Sequence, residues 1–291
     1  MDDLEKLNSV AKAKRSQLPI ENNFNINDLS LMPEFFNWVN CDVGLKEQFQ
    51  MFLGGKDDGV ALRFFWNGFY EKFTLRTWSR IAKNTNGFVL DIGAHTGSYS
   101  LAALTANRNL SLLSFEPHYM NFARLILNFN ANKFNTNNIF MYCVGDENKF
   151  VPFSTSTSVS YLTSGGSVGQ KSGAKVNSVQ QVALDSFLID EVIQNTRLIK
   201  IDVEGYEANV LKGMKKILNY KPTIFFECIE KNSAKLVEAI LFSYGYNFYE
   251  IDDLTEKITK VKKLEPQFDR DNKLVMHKLN RIASINETFD E

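Results

Sequence analysis

Residues 88–97 read Phe-Val-Leu-Asp-Ile-Gly-Ala-His-Thr-Gly, an apolar run that stops at an acidic residue and continues through two glycines. Phe88–Leu90 predicts a buried strand that ends at Asp91. Gly93 and Gly97 supply backbone conformations and a close approach that a side chain would block. A strand that opens through glycines into a helix is typical of a turn that holds a nucleoside cofactor. The alternative is an ordinary strand-to-helix turn of an α/β protein.

The spacing of the glycines limits which kinds of cofactor the turn can bind. A dinucleotide fingerprint has three glycines in the order Gly-x-Gly-x-x-Gly, which bring the backbone against a pyrophosphate. Here position 95 is His and position 98 is Ser, so pyrophosphate binding is disfavoured. Asp-x-Gly-x-x-x-Gly instead resembles the first motif of class I methyltransferases, whose ligand S-adenosylmethionine has a sulfonium and a zwitterionic amino-acid tail but no phosphate.

The composition argues against several classes of protein. The 291 residues carry 33 Lys and Arg against 34 Asp and Glu, which gives no electrostatic footprint for nucleic acid or an anionic membrane. Cys41, Cys143 and Cys228 are far apart, so they predict buried thiols of a reducing compartment rather than a disulfide framework or a metal cluster. No apolar signal core begins the chain, and no run approaches the roughly 18 apolar residues of a membrane span. We expect a cytoplasmic protein without a membrane span.

Strand and helix signals alternate along most of the chain. Alternation of this kind predicts a parallel sheet covered by helices. The predicted strands are residues 88–91, 110–115, 139–144, 198–203 and 223–228, and residues 246–251 and 273–279 are expected to close the sheet.

Two other stretches have the pattern of hairpins. Val60–Phe65 and Phe69–Phe73 flank Trp66-Asn67-Gly68, which predicts two strands joined by a turn. Pro152–Ser178 is rich in Ser, Thr and Gly and lacks helical periodicity. It is either a mobile lid over a site or a polar hairpin with arms at Val151–Phe153 and Val159–Leu162.

A second acidic strand end follows in Ser114-Phe115-Glu116-Pro117. Ligands of an open α/β sheet lie at the carboxyl ends of its strands, so Glu116 is expected beside the glycine turn. There its carboxylate can accept hydrogen bonds from both ribose hydroxyls of a nucleoside. The alternative is a solvated glutamate before a proline.

The strongest signal is Leu198-Ile-Lys-Ile-Asp-Val-Glu-Gly-Tyr-Glu207. Alternation along a strand puts Lys200, Asp202 and Glu204 on one side and the three branched aliphatic residues among them on the other. A buried strand seldom tolerates ionisable residues without partners or a task, although a structural ion-pair network is the alternative. Glu227 ends the next predicted strand, so three carboxylates are expected to face one cavity.

Six segments share an order and spacing that identify a family: Val-Leu-Asp-Ile-Gly-Ala-His-Thr-Gly at 89–97, Phe-Glu-Pro at 115–117, Leu-Asp-Ser-Phe at 184–187, Ile-Lys-Ile-Asp-Val-Glu-Gly-Tyr-Glu at 199–207, Val-Leu-Lys-Gly at 210–213 and Pro-x-Ile-x-x-Glu at 222–227. Together they resemble the FkbM family of S-adenosylmethionine-dependent methyltransferases. The resemblance covers about residues 66–280, with Gly-Phe-Tyr-Glu ending at Glu71 as a weaker upstream match. His95 stands where the family usually has Asn, and an imidazole can still form a hydrogen bond there.

The resemblance implies an α/β fold with a Rossmann-like, mostly parallel sheet of seven strands and helices on both faces. The methyltransferase domain would span residues 66–280, after an N-terminal extension or cap at 1–65 and before a C-terminal tail at 281–291. The implied reaction is methylation of an oxygen, most often a hydroxyl on a sugar destined for a glycan, capsule, lipooligosaccharide or glycosylated natural product. We expect a sugar, sugar nucleotide or glycan as partner, no nucleic acid, and leave homo-oligomerisation open.

The candidate site residues fall into two groups. Those expected to bind S-adenosylmethionine are Asp91, Gly93, Ala94, His95, Gly97, Glu116, Pro117, Gly145 and Asp146. Asp202 is the preferred base for the acceptor hydroxyl, with Glu204 and Glu227 as partners and Lys200 balancing their charge. In a second version Asp202, Glu204 and Glu227 hold a hard divalent ion such as Mg²⁺. We favour the version without a metal.

Two other functions fit parts of the pattern. A nicotinamide-dependent oxidoreductase can have a similar sheet, but the missing third glycine argues against it. A degenerate fold that binds a nucleoside or glycan without catalysis is the second alternative. The intact carboxylates Asp91, Glu116, Asp202 and Glu204 argue against that reading.

Overall fold

The computed structural model describes residues 3–155, 166–169, 174–286 and 289. The helices are α1 (Asp3–Ser16), α2 (Ile26–Ser30), α3 (Gly59–Asn67), α4 (Lys72–Lys83), α5 (Ser98–Ala106), α6 (Tyr119–Ala131), α7 (Leu184–Phe187), α8 (Asp190–Asn195), α9 (Glu207–Lys212), α10 (Lys215–Leu218) and α11 (Lys231–Ser243). The strands are β1 (Phe35–Cys41), β2 (Phe49–Gly55), β3 (Phe88–Ile92), β4 (Ser111–Phe115), β5 (Ile139–Phe140), β6 (Cys143–Val144), β7 (Lys149–Thr155), β8 (Ser167–Val168), β9 (Lys175–Val182), β10 (Thr196–Ile201), β11 (Thr223–Glu227), β12 (Asn247–Asp252), β13 (Lys257–Val261) and β14 (Asn280–Ser284).

The main sheet has the strand order β13-β12-β14-β11-β10-β3-β4-β5. Strands β11, β10, β3, β4 and β5 are parallel, whereas β14 pairs antiparallel with β11 and with β12, and β13 pairs antiparallel with β12. The chain passes from β3 outward to β4 and β5 and then returns to β10 on the other side of β3. This reversal is a topological switch point, where open α/β sheets bind their ligands. The predicted α/β, Rossmann-like fold is confirmed.

Helices cover both faces of the main sheet, and a separate apolar core lies under each set. The first core contains residues of α4, α5 and α6, and the second contains residues of α8, α9 and α11. Successive strand residues alternate between them: Val89 and Leu198 face the first core, whereas Leu90 and Ile199 face the second. This alternation decides which face each ionisable residue of β10 joins.

The first residues of the chain share the first core with the main domain. Strands β1 and β2 form an antiparallel hairpin, and Asn128 of α6 accepts a hydrogen bond from Phe52 N at 2.9 Å. The Arg124 guanidinium of α6 forms an ion pair with Asp57 at 2.6 Å. The predicted boundary at residue 65 falls inside α3, so it does not mark a break in packing.

The hairpin predicted at residues 60–73 is wrong, because its first arm lies in α3 and its second arm is a bend that leads into α4. Asp58 caps the N-terminus of α3 by accepting hydrogen bonds from Val60 N and Ala61 N at 2.8 and 3.1 Å. Gly68 ends α3 in the left-handed conformation, with φ of 83°. With these caps, Trp66-Asn67-Gly68 forms the C-terminal end of a helix, although the same residues also fit the turn of a hairpin.

The main sheet has eight strands rather than the predicted seven, and it extends into the predicted C-terminal tail. Strand β13 is largely exposed and polar, so it lacks the apolar alternation by which strands are found. Strand β14 replaces the predicted strand at 273–279 and contains the fully buried Arg281, whose guanidinium contacts Glu250 at 3.1 Å. A buried ion pair hides a strand of this kind from a search for apolar runs. Residues 281–284 of the predicted tail belong to the sheet.

A second sheet, in the order β6-β9-β7-β8, is built from the segment between β5 and α7. The predicted strand 139–144 is divided, because residues 139–140 join the main sheet and residues 143–144 join this one. Residues 151–153 lie in β7 and pair with β9. The other predicted arm, residues 159–162, lies outside the described residues.

We expect the Asp58→Ala substitution to lower the free energy of unfolding by about 1–2 kcal/mol, because the first N–H groups of α3 would lose their acceptor. Urea denaturation followed by circular dichroism measures the change. Asp58→Asn is the matched control, since its amide oxygen keeps the acceptor at Oδ1 and Oδ2 has no partner among the described residues. Equal destabilisation by both variants would contradict the capping role.

Candidate active site

The glycine turn and the acidic end of β10 meet at the switch point of the main sheet. Lys200 is in register with Asp91, and Asp202 N donates a hydrogen bond to Ile92 O at 2.8 Å. Parallel pairing of β3 with β10 thus brings together two motifs that are far apart in the chain. One cavity lies over both strand ends.

Gly93 sets the distance between the two motifs. Its φ is 80°, and a Cβ atom built on it would lie 1.8 Å from the carbonyl oxygen of Asp202. A side chain at this position is therefore excluded by both the backbone conformation and the neighbouring strand. His95 in the same turn has a φ of 53°. Asn and His are both enriched among the non-glycine residues of this left-handed region, which explains how His can stand where the family usually has Asn.

Glu116 ties the glycine turn to the beginning of α6. Its two carboxylate oxygens accept hydrogen bonds from His95 N at 2.9 Å and from His118 N at 2.8 Å. Burial raises the pKa of Glu116, and the nearby His95 and these N–H groups oppose the rise. A carboxylate has about four lone-pair sites, so Glu116 retains acceptors toward the cavity.

Asp91 lies on the floor of the cavity and is almost fully buried. Ser100 donates a hydrogen bond to Asp91 Oδ2 at 2.5 Å. Burial raises the pKa of Asp91 to about 6, even though Ser100 and the charge of Lys200 favour the ionised form. The carboxylate is consequently close to its titration midpoint in mildly acidic solution.

Lys200 carries a fully buried positive charge at the centre of the acidic residues. Its ammonium lies 3.2 Å from both Asp202 Oδ2 and Asn280 Oδ1 and 4.7 Å from the centre of the Tyr99 ring. Burial alone would lower the pKa of Lys200, but the charges of Asp202, Glu227 and Glu71 raise it above its usual value. The lysine therefore stays protonated and neutralises part of the carboxylate charge.

Glu227 and Glu71 complete the acidic cluster. Burial and the neighbouring Asp202 raise the pKa of Glu227. Burial also raises the pKa of Glu71, against the opposing charge of Lys200. The Tyr99 hydroxyl donates a hydrogen bond to Glu71 Oε2. Groups of this kind bind protons more tightly than free carboxylates and can exchange them with a bound hydroxyl.

Most of the candidate residues line this single cavity. The lining candidates are Asp91, Gly93, Ala94, His95, Glu116, Pro117, Lys200, Asp202, Glu204 and Glu227. Glu204 follows the end of β10, is exposed and has a φ of 53°. Ile199 and Ile201 belong to the second core and Val203 packs against it, so the aliphatic residues share one side as expected. Asp202 and Glu204 lie beyond the end of the strand.

Gly97, Gly145 and Asp146 are not among the lining residues, although their neighbours Ser98 and Val144 are, so a cofactor contact of these three residues stays a prediction. A Cβ atom on Gly97 would lie 2.5 Å from Leu125 of α6, so this glycine serves helix packing. Gly145 packs against Gln181, whose amide donates to Asp146 Oδ1 at 3.1 Å. The contacts of Gly145 and Asp146 lie within the second sheet, since both residues follow β6 and Gln181 is in β9.

Sequence reasoning missed the residues that reach the cavity from upstream. Tyr70 and Arg63 line the cavity, and Tyr99 does so from α5. Glu71 lies beside them and has a φ of 41°. The available signal was Gly-Phe-Tyr-Glu at 68–71, the weaker upstream match to the family, which the hairpin prediction assigned to a turn and a strand. Phe153 of β7 and Val168 of β8 form another wall of the cavity. The lid hypothesis covered the segment 152–178 but named neither residue as a contact.

The switch-point cavity, its glycine turn and the acidic strand ends define an α/β protein of the methyltransferase class. The model of the methyltransferase FkbM domain matches residues 91–248, more than half of the chain. The chain therefore belongs to the FkbM methyltransferase family. This membership supports S-adenosylmethionine as the cofactor and argues against the nicotinamide alternative.

Several solved structures are similar to this chain at low identity. Precorrin-6y C5,15-methyltransferase from Geobacter metallireducens is 12% identical, with 75% of this chain and 89% of that chain covered and a TM-score of 0.41. An S-adenosylmethionine-dependent O-methyltransferase from Thermotoga maritima is 11% identical, with 74% and 66% covered and a TM-score of 0.37. The tRNA (uracil-54, C5)-methyltransferase of Pyrococcus abyssi, in complex with S-adenosyl-L-homocysteine, is 9% identical, with 86% and 44% covered and a TM-score of 0.42. No curated protein has significant sequence similarity to the chain.

Three further findings bear on the expectations from sequence. Within the part of the chain that the structure describes, no three or more His, Cys, Asp or Glu side chains are grouped so as to hold a metal ion. No helix among the described residues is long and apolar enough to cross a membrane. Cys41, Cys143 and Cys228 are free and buried, as predicted.

We expect the stability of the Asp91→Asn variant, relative to the wild type, to rise by up to about 3 kcal/mol between pH 4 and 6. The folded pKa of Asp91 is raised from 3.8 to about 6, so its contribution to stability is present below the unfolded value and is lost as pH rises through the folded value. Urea denaturation at several pH values measures the difference. A difference that does not change with pH would contradict the raised pKa.

Asp146→Asn is the control for this experiment. Burial would raise the pKa of Asp146, but its hydrogen bonds and the charge of Lys149 lower it overall. The variant should consequently lose stability relative to the wild type as pH rises, which is a change of opposite sign.

Proposed function

We propose that this chain transfers a methyl group from S-adenosylmethionine to a hydroxyl oxygen of a sugar or glycan precursor. The observation that carries the proposal is the single cavity that joins the glycine turn to the acidic cluster, with Gly93 packed against the carbonyl of Asp202. Membership in the FkbM methyltransferase family supports the reaction class. The buried free thiols support the cytoplasm as the proposed location.

The residues of the turn fit S-adenosylmethionine. Gly93 lines the cavity, and its missing side chain lets the backbone of the turn pack against the carbonyl of Asp202 at the edge of the cavity. The carboxylate of Glu116 is placed to accept hydrogen bonds from the ribose hydroxyls, and Asp91 offers a carboxylate to the positively charged tail. Tyr142 and Phe153 supply aromatic surface for the adenine.

The acidic cluster fits a hydroxyl acceptor. Asp202, Glu204 and Glu227 line the cavity and offer several acceptor oxygens, a set that suits the neighbouring hydroxyls of a sugar. When bound, S-adenosylmethionine supplies a methyl group on a sulfonium that is already activated as a leaving group. Asp202 accepts the proton of the attacking hydroxyl, while Lys200 holds the Asp202 carboxylate in position. Orientation of the hydroxyl in this closed site accounts for much of the expected acceleration.

We expect Asp202→Asn to lower methyl transfer at least about 100-fold, because the amide cannot accept the proton. The affinity for S-adenosyl-L-homocysteine, measured by isothermal titration calorimetry, should stay within a few-fold of the wild-type value. Asp190→Asn, a substitution of an exposed aspartate outside the cavity, should change neither quantity. Near-normal turnover of the Asp202 variant would remove this residue from the proposed role.

The acceptor can be identified by mass spectrometry of cellular glycans with and without the gene. When the gene is deleted, we expect one sugar residue of the glycan to be lighter by about 14 mass units, the difference between a methoxy group and a hydroxyl group. A purified protein that binds S-adenosyl-L-homocysteine while glycans stay unchanged would point to another acceptor or to binding without catalysis.

We expect turnover to survive treatment with EDTA and to gain nothing from added Mg²⁺. The ammonium of Lys200 already lies among the carboxylates, 3.2 Å from Asp202, and would repel a divalent ion there. The measurement is the initial rate before chelation, after chelation and after readdition of Mg²⁺. Strict dependence on Mg²⁺ would instead favour the version in which Asp202, Glu204 and Glu227 hold the ion.

A further inference from the structure

Arg63 brings a positive charge to a cavity that is lined mainly by carboxylates. The acidic lining residues are Asp91, Glu116, Asp202, Glu204 and Glu227. Among the described lining residues, the Lys and Arg side chains are Arg63 and Lys200. Because the ammonium of Lys200 contacts Asp202, the guanidinium of Arg63 is the one left to receive an anionic group of a ligand.

The guanidinium of Arg63 is anchored at one nitrogen and has further donors to offer. Its Nη1 atom donates to Gly59 O at 2.8 Å, one turn toward the N-terminus of α3, and its Cζ atom lies 6.0 Å from the centre of the Tyr70 ring. No other hydrogen bond or ion pair of this side chain is found within the described part of the chain. A Cβ atom on Gly59 would lie 3.3 Å from Nη1, so this glycine leaves space beside the guanidinium. A guanidinium has five N–H donors in a fork that matches a carboxylate.

The glycine turn directs its own N–H groups away from a ligand. Gly93 N and Ala94 N both donate to Phe115 O at 2.9 Å, and His95 N donates to Glu116. Several carboxylates of this cavity can pair with the ammonium of an S-adenosylmethionine tail. Its α-carboxylate has far fewer partners, which are chiefly Arg63 and the first N–H groups of α5.

We propose that Arg63 binds the α-carboxylate of the amino-acid tail of S-adenosylmethionine. The inference rests on the proposed function and adds a cofactor contact from α3, which lies upstream of the residues matched by the family model. The segment before the matched domain thus completes the cofactor site. Tyr70, which also lines the cavity, supports the guanidinium with its ring face.

The test compares two ligands that differ by the amino-acid tail. S-adenosyl-L-homocysteine carries the α-carboxylate, whereas 5′-methylthioadenosine keeps the nucleoside and lacks it. Isothermal titration calorimetry with the full chain should show that Arg63→Gln weakens S-adenosyl-L-homocysteine about 10- to 100-fold, as expected for the loss of a charged hydrogen-bond pair. The affinity for 5′-methylthioadenosine should remain within two- to three-fold of the wild-type value, which also shows that the variant is folded.

Two further variants sharpen the comparison. Arg63→Lys keeps the charge but not the fork, so its affinity for S-adenosyl-L-homocysteine should fall between those of the wild type and Arg63→Gln. Arg108→Gln is the matched control, because Arg108 is an exposed arginine paired with Glu47 away from the cavity, and it should affect neither ligand.

The remaining outcomes overturn the inference in distinguishable ways. An unchanged affinity of Arg63→Gln for S-adenosyl-L-homocysteine would place the carboxylate at α5 and leave Arg63 to an anionic group of the acceptor. An equal loss for both ligands would mean that Arg63 only shapes the cavity. A wild-type protein that binds neither ligand would overturn the proposed function together with this inference.

Discussion

The close contact between Gly93 and the backbone of Asp202 is the constraint on which the rest of the site depends. It requires a residue without a side chain at φ of 80°, and it requires β10 to lie beside β3 in a fixed register. The register in turn brings Lys200 next to Asp91, so that the cofactor turn and the acidic cluster share one cavity. A side chain at position 93 would displace one motif from the other and separate the two halves of the site.

A second constraint is the balance of charge around Lys200. Several carboxylates gathered in a buried place would repel one another, and a fully buried ammonium relieves that repulsion at the cost of its own desolvation. The strand pattern directs Lys200 toward the first core, where the face of Tyr99 and the amide of Asn280 receive it. Asn280 belongs to β14, so the last strand of the sheet contributes to the site as well as to the fold.

The sequence was informative wherever chemistry and periodicity agreed. Phe88–Ile92 is a short, mainly apolar strand with Asp91 next to its end, and Thr196–Ile201 is followed by Asp202. The location of both strands and the side on which Lys200 lies could be predicted. Other elements were hidden by conflicting local signals. Helix α3 is defined by its cap at Asp58 and by Gly68, whose left-handed conformation suits a hairpin turn equally well. Strand β14 was missed because the apolar pattern is broken by Arg281, which only a distant partner, Glu250, makes tolerable in the interior.

Residues before the matched domain line the switch-point cavity, and the geometry of such a cavity explains why. The sheet supplies the floor of such a cavity through its strand ends, but walls must come from segments outside the sheet. Here α3 and the residues that follow it supply one wall through Arg63 and Tyr70, and the second sheet supplies another through Phe153. A family pattern taken from the strand ends alone describes the floor. The walls of this cavity include Arg63 and Tyr70, which lie upstream of the residues matched by the family model, so the motifs at the strand ends leave part of the cavity undescribed.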